Sequence, residues 1–523
     1  MRTKVLIASW LLASLAGAPF LATAQAAPTN TAAAEPASFT TCVTSEQLRH
    51  YQIVRDPQLS PNGKLAVWVQ SGTTADGPAG HLWLAPVDGS VAPRQITYSS
   101  GSDKFGEGSP AWMPDGSAIL FTARRGEGQE LFRLPMQGGE AVPLPLKTGK
   151  LMLSVGQFAV SPDGQWLAFS ARQPQTEQQK QDEKDKKDAV IVGEDKNPNR
   201  IWLYSFATKT LTALTPLTRE ARGFAWNPQS TEIAIVTAAL GNADERGPNS
   251  QLEIVTLANP GAAHTVTGVP ATVFAARFSP NGEQLAFVAQ SEHDTPPGVT
   301  DVYVIPAAGG TPKDLTGSSP YAVSFGFHWN RNGNGIYVEV QRRTHTALLE
   351  FPLSGKVPAW KPAATPIASG FGTNQSQSGW VFVAQSTDRM PQVVYARAYD
   401  AAGTVLSHAN ASWPANGWQA ATTVSWKGPN NLTVEGLYFS PAHCAGAAPV
   451  IDGKTPMILM AHGGPTGAFT QNFSPFVQWL TSQGWAVLEV NPRGSTGYGW
   501  QFTAGDRNDL GGKDFLDEMA GVD

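Results

Sequence analysis

The fold class this sequence predicts is an all-β repeat domain, a seven-bladed propeller, followed by part of a doubly wound α/β domain. Three observations carry it. A turn of the form [Ser/Asn]-Pro-[Asn/Asp]-Gly recurs at intervals near 50 residues, and each copy leads into alternating apolar and polar residues. From about residue 423 that alternation gives way to short, continuous apolar runs bounded by glycine. Alternation behind Asn-Gly or Asp-Gly turns describes antiparallel hairpins, and continuous apolar runs describe parallel strands buried on both faces.

The copies are Ser60-Pro-Asn-Gly63, Met113-Pro-Asp-Gly116, Ser161-Pro-Asp-Gly164, Asn227-Pro-Gln-Ser230, Ser279-Pro-Asn-Gly282, Asn330-Arg-Asn-Gly333 and a degenerate Ser376-Gln-Ser-Gly379. Their fourth positions lie 53, 48, 66, 52, 51 and 46 residues apart. A second strand follows within the repeats, as in His81-Leu-Trp-Leu84, Arg200-Ile-Trp-Leu-Tyr204 and Asp301-Val-Tyr-Val-Ile305. Several strands per unit at this period are the signature of a propeller, and a sandwich does not explain such even spacing. The long interval holds Gln173 to Lys196, with seven acidic and five basic residues. It reads as a solvated insertion, the alternative being a loop that reaches toward a substrate. Ahead of the first repeat, Thr44-Ser-Glu-Gln47 resembles a capping box opening a short helix that Pro57 ends.

Composition narrows the function classes. The chain has 523 residues, 41% of them hydrophobic and 15% charged, with 52 Gly and 40 Pro, which suits a turn-rich β protein. A net charge of −5 gives no reason to invoke nucleic acid or an anionic membrane. Residues 1–26 read as a secretory signal: Arg2 and Lys4 precede an apolar run from Val5 to Leu15, and Ala22-Thr23-Ala24 or Ala24-Gln25-Ala26 offers small residues for cleavage. The run is short for spanning about 30 Å of hydrocarbon, so no stable membrane span is expected after cleavage. The expected location is the periplasm or the exterior. There an oxidising environment permits a disulfide between the two cysteines, Cys42 and Cys444, with two unrelated thiols as the alternative. No Cys/His cluster has metal-ligand spacing, and no cofactor is expected. The expected boundaries are a signal at 1–26, a leader at 27–43, a helical segment at 44–56, the propeller at 57–422 and the α/β segment at 423–523.

The chemistry lies in the last segment. Pro456-Met-Ile-Leu-Met-Ala461 is an apolar run leading into His462-Gly-Gly-Pro465, and Phe473 to Leu480 has helical spacing. Trp485 to Val490 is a second apolar run, which opens Asn491-Pro-Arg-Gly-Ser-Thr-Gly-Tyr-Gly499. Strand, turn, helix, strand is βαβ logic. In α/β-hydrolases a His-Gly-Gly turn after a buried strand aims a backbone N–H at a developing oxyanion, and a nucleophile follows on a G-x-S-x-G elbow. No G-x-S-x-G occurs between Met1 and Asp523. Ser495 lacks that spacing, and His462 is the last histidine.

A propeller followed by His462-Gly-Gly-Pro465 and Asn491-Pro-Arg-Gly-Ser-Thr-Gly-Tyr-Gly499 resembles the prolyl oligopeptidase family of serine peptidases. The resemblance is to its acylaminoacyl-peptidase and dipeptidyl-peptidase-like branch, and it covers nearly everything after the leader. It implies an α/β-hydrolase domain at 423–523 that lacks the Ser/Asp/His triad, so that the chain reads as an incomplete peptidase acting on short peptides. It also implies that Gly464 offers its N–H to the oxyanion, and that His462 shapes the turn and is not the triad histidine. Arg493 and Tyr498 read equally well as a loop-shaping ion pair with a packed aromatic, or as substrate contacts. Two further readings are a non-catalytic periplasmic propeller that binds peptide or protein, and a propeller-fused esterase. The stretch 514–523 is an amphipathic helix by its apolar spacing, and its missing continuation would leave Met457 to Met460 at an open sheet edge.

Overall fold

The computed structural model describes residues 42–523 apart from 75–76, 99–105, 125–127, 188–195, 241–249, 271, 291–298, 362–366, 414–416, 443, 445–454 and 465. The signal and most of the leader lie outside the described residues, as do part of the charged insertion and Pro465 of the His-Gly-Gly turn. Residues 37–523 cluster as one compact unit.

Most of that unit is small antiparallel sheets of three or four strands, each built from consecutive strands in chain order. Their first strands are Ile53–Leu59, Glu107–Trp112, Phe158–Val160, Arg219–Trp226, Val273–Phe278, Ala322–Trp329 and Ile367–Thr373. The second strands explain the stacking: residues 118–123, 167–171 and 233–238 are buried throughout, as both faces of a sheet must be apolar when it is sandwiched between two others. Val67 and Leu82 of the first sheet pack on Ile119 and Phe121 of the second. The same relation carries on through Leu120 with Phe169, Ile201 with Ile235, Val236 with Phe287 and Val302 with Val338. Leu348 then meets Phe382, and Trp68 of the first sheet meets Val381 and Val393 of the last.

The recurrent turn is explained by its side chains. Ser60 Oγ accepts from Leu65 N at 2.9 Å and donates to Asn62 Oδ1 at 2.8 Å, while Asn62 Oδ1 accepts from Lys64 N at 3.0 Å. Ser161 with Asp163 and Ser279 with Asn281 repeat the arrangement. A short polar side chain thereby satisfies backbone donors where the ladder begins. The seventh turn corrects the sequence expectation. Gln377 N donates to Asn374 O, and Asn374 Oδ1 accepts from Ser378 N. The turn is therefore Asn374 to Gln377, two residues before the expected Ser376 to Gly379, because Asn374 fills the capping role of the serine and Gln377 takes the left-handed conformation (φ 49°).

Two N-terminal boundaries shift as well. Thr44 and Gln47 do form a capping box, but the helix covers only Ser45–Arg49 and the first strand starts at Ile53, so 53–56 belong to the sheet and not to a helical segment. A bulge between Arg55 and Gln58 lets the strand run through Pro57. Val43, assigned to the leader, is buried: its N–H donates to Ser482 Oγ at 3.2 Å, and its carbonyl accepts from Gln483 Nε2 at 3.0 Å. The neighbouring Cys42 is joined to Cys444 by a disulfide with Cα atoms 5.2 Å apart.

The last sheet is mixed. Thr422–Lys427 and Thr433–Phe439 are antiparallel, Thr433–Phe439 is antiparallel to Ala486–Asn491, and Met457–Met460 runs parallel to Ala486–Asn491 at the edge. Between the parallel pair, the helix Pro475–Ser482 is capped by Ser474 Oγ accepting from Val477 N, with proline at its first position. Its buried Gln478 is saturated, donating to Thr387 O and Gln419 O and accepting from Gln419 N, which ties this helix to the last of the small sheets.

Candidate active site

The His-Gly-Gly turn leaves the carboxyl end of the edge strand Met457–Met460 and is held by the loop after Ala486–Asn491. Asn491, fully buried, accepts from Phe469 N at 2.7 Å and donates to Phe469 O at 3.0 Å, closing the segment 462–469 against its own strand end. Thr496 N donates to Gly467 O at 2.9 Å. Gly464 stands exposed on this turn with φ 145°. A Cβ there would lie 2.7 Å from Thr466 N, so only glycine fits the backbone path. Its N–H meets no acceptor among the described residues. A free amide on an exposed turn at the carboxyl end of a parallel strand is a donor placed to receive an incoming oxygen.

His462 Nε2 lies 2.9 Å from Ser495 Oγ, a serine–histidine pair that the sequence did not suggest. Proton accounting assigns its role. Ser495 Oγ is 2.6 Å from Pro492 O, to which it must donate its only proton, so Nε2–H donates to Oγ. His462 is then a donor pinning two loops together and not a base. Among the described residues no carboxylate orients its Nδ1, whose near neighbour is Gly463 O at 3.3 Å, and Ser495 is fully buried, beyond the reach of substrate. Burial lowers the His462 pKa, the Gly463 contact opposes that, and the ring is neutral near pH 7.

Arg493 and Tyr498 take structural places. Arg493 and Asp517, 6% and 0% exposed, form a bidentate pair: Nε donates to Oδ2 at 2.7 Å and one terminal nitrogen to Oδ1 at 2.8 Å. Arg493 N also donates to Asp517 Oδ2 at 3.0 Å. Tyr498 packs on Phe502 and shares a hydrogen bond with Asn491 Nδ2 at 3.0 Å. The loop also docks on the sixth sheet: Arg343 N donates to Gly497 O at 2.7 Å, Gln341 bonds Thr496, and Arg343 pairs with Glu435. A Cβ on Gly497 would come within 3.0 Å of the Arg343 backbone, so this approach too requires glycine.

Sequence reasoning missed Glu489. It is 5% exposed on the strand face shared with Val487 and Asn491, with no hydrogen-bond partner among the described residues. Burial pushes its pKa up to about 8. A lone acid inside Trp485-Ala-Val-Leu-Glu-Val490 was the available signal. Because the folded carboxyl holds a proton that the unfolded one (pKa about 4.3) releases, its contribution is fully present at low pH. It is lost as pH rises from about 4.3 to about 8. The slope expected in that window is about 1.4 kcal/mol per pH unit. Glu489→Gln should flatten it and be the more stable protein at pH 8. Urea midpoints at pH 5, 6.5 and 8 check this, and a constant difference between the two proteins would sink it. Among the described residues no three His, Cys, Asp or Glu side chains form a metal-holding group.

Comparison with known proteins agrees with this arrangement. The family model described as the prolyl oligopeptidase family matches residues 471–523. Over 503 residues the chain is 23% identical to the uncharacterized peptidase YuxL of Bacillus subtilis, covering 90% of this chain and 66% of that protein. It thus spans just under two thirds of that relative's length. A puromycin-hydrolyzing peptidase of Mycobacterium tuberculosis superposes with a TM-score of 0.68 at 16% identity, over 93% of this chain and 73% of that one. The acylaminoacyl peptidase of Pyrococcus horikoshii gives 0.68 at 14% identity, over 91% and 71%. At such identities the superpositions speak for the fold alone.

Proposed function

The chain belongs to the prolyl oligopeptidase family, and from that premise we propose that it serves serine-type hydrolysis of short peptides through an acyl-enzyme. The observation that carries the reading is the exposed Gly464 amide, unpartnered among the described residues and held by Asn491 and Thr496 on a turn that tolerates only glycine. In acyl transfer such an amide stabilises the oxyanion of the tetrahedral intermediate, a charge that exists only after attack, so it lowers the barrier and not merely the substrate's energy. His462 fixes the turn through Ser495 and takes no proton from substrate. The attacking serine, its histidine and its acid require a G-x-S-x-G elbow and partners that do not occur among residues 1–523.

The reading extends to the rest of the chain. The seven small sheets are taken as blades of one propeller, residues 423–523 as part of the hydrolase domain, and the N-terminal 26 residues as an export signal that delivers the protein to the periplasm or the exterior. The disulfide between Cys42 and Cys444 suits such a compartment.

The test uses the product of the whole gene. It should cleave short peptides and be modified by a fluorophosphonate at one serine. Gly464→Ala, which displaces the amide, should lower kcat by about 10²–10³-fold with little change in KM. The 523-residue chain should not be modified, Ser495 included. Modification of Ser495 would overturn the role given to His462. Binding of peptides without turnover by the whole gene product would favour the non-catalytic propeller, and turnover of esters alone the esterase.

A further inference from the structure

A cavity of about 1110 Å³ lies among the small sheets, bordered by a stretch from each of the seven, from Leu59 in the first to Gln377 in the last. Its chemistry is uneven. Arg222, Arg277 and Arg331 line it, and no described Asp or Glu does. None of the three arginines has a carboxylate partner among the described residues. Of the acids outside that lining, Glu339 Oε1 accepts from Phe371 N and Asp56 is paired with Arg55. Arg277 is exposed, its guanidinium lies 5.6 Å from the Phe327 ring, and burial, reinforced by that nearby charge, lowers the pKa of the neighbouring His328 and keeps it neutral.

Three adjacent inner strands break their ladders at this cavity. Arg222 is the extra residue of a bulge between Ala221 and Gly223, and Phe274 of one between Val273 and Ala275. Phe325 lies in the irregularity between Val323 and Phe327. Bulges re-aim side chains out of the ladder, and here each of these three lines the cavity. Phe274 and Phe325 meet at 5.2 Å between ring centres, and Phe325 stays 59% exposed. Exposed cations along an open concave wall, with no carboxylate among its described lining residues, concentrate anions, and the half-buried Phe274 with the exposed Phe325 beside them offers an apolar surface that water does not satisfy.

We propose that this cavity binds peptides carrying carboxylates, with Arg222, Arg277 and Arg331 receiving the anionic groups and Phe274 and Phe325 an apolar side chain. The site selects for negative charge at a place separate from the Gly464 turn, and it stands whether or not the protein cleaves what it binds. Calorimetric titration of the intact protein with the all-D peptide Phe-Ala-Glu-Glu, which resists cleavage, measures it directly. The N-acetylated and amidated Phe-Ala-Gln-Gln serves as the neutral counterpart and inorganic phosphate as the plain anion.

The acidic peptide should bind at least about tenfold tighter than its neutral counterpart, and less tightly as salt is raised. Arg222→Gln and Arg277→Gln should each weaken it about tenfold. Arg94→Gln, exposed on an outer strand, should leave it unchanged. Should Arg277→Gln fail to fold, Arg331→Gln on its exposed turn gives the same reading. Equal affinity for the two peptides, binding indifferent to all three arginines, or no binding would overturn the proposal. Phosphate binding as tightly as the acidic peptide would overturn its peptide part.

Discussion

Asp517→Ala is expected to cost about 3–5 kcal/mol, the largest effect of any single substitution considered for this chain. Asp517 is fully buried and gives both its oxygens to Arg493, whose backbone N–H it also accepts. Removing it strands a guanidinium that is itself only 6% exposed, with Pro429 O as its remaining acceptor. The cost arises from the charge left behind, not from the attraction lost, because two ions withdrawn from water repay little when both are present. The double variant Arg493→Met with Asp517→Leu should therefore recover part of the loss. The same bond joins the helix Lys513–Met519 to the 491–499 loop, so the Gly464 turn should loosen with it. Urea midpoints of the wild type, the single variant and the double variant decide the matter. A single variant that unfolds with the wild type would refute the account.

Breaking the disulfide is the second large effect. Cys42 and Cys444 lie 402 positions apart in the sequence, and in the chain-entropy account such a closure restricts the unfolded ensemble by about 6 kcal/mol. Its anchors are well placed to keep that gain. Val43 is held by Ser482 and Gln483, and Tyr51 stacks on Phe473 at 6.1 Å beside Trp413 and Trp418. Cys42→Ala with Cys444→Ala should lower the melting temperature strongly and free the N-terminal segment first, since its contacts are few. A thiol titration supplies the check. The denatured, unreduced protein should show no free thiol and the reduced protein two; two thiols without reductant would refute the bridge.

Much of the fold was legible because it rests on local chemistry. The Ser-Pro-Asn-Gly turns were readable because a serine and an asparagine cap backbone donors within five residues of themselves. The seventh was misplaced by two residues because Asn374 does the work of serine there, and a degenerate motif does not say which polar side chain is the cap. The helix at 44–56 was drawn too long because Pro57 was read as its end. A strand with a bulge accommodates that proline equally well, and contact with the second strand decided between them.

At the candidate site the glycines were legible and the partners were not. Gly464 could be named from His462-Gly-Gly-Pro465 because the demand for a residue without Cβ is local. The pairing of Arg493 with Asp517, of His462 with Ser495 and of Arg343 with Glu435 joins positions 24, 33 and 92 residues apart. No pattern in the chain announces those meetings.

The sequence by itself determined the repeat of short antiparallel strands, the change to a parallel pair after residue 423 and the turn that exposes the Gly464 amide. Each follows from periodicity or from backbone sterics over a few residues. Tertiary structure alone decided that His462 is a donor and not a base, that Glu489 holds its proton, and that three arginines face one cavity with no described carboxylate among its lining residues. Those properties depend on burial and on which groups lie across space, and the desolvation that creates them exists only once distant segments have packed together.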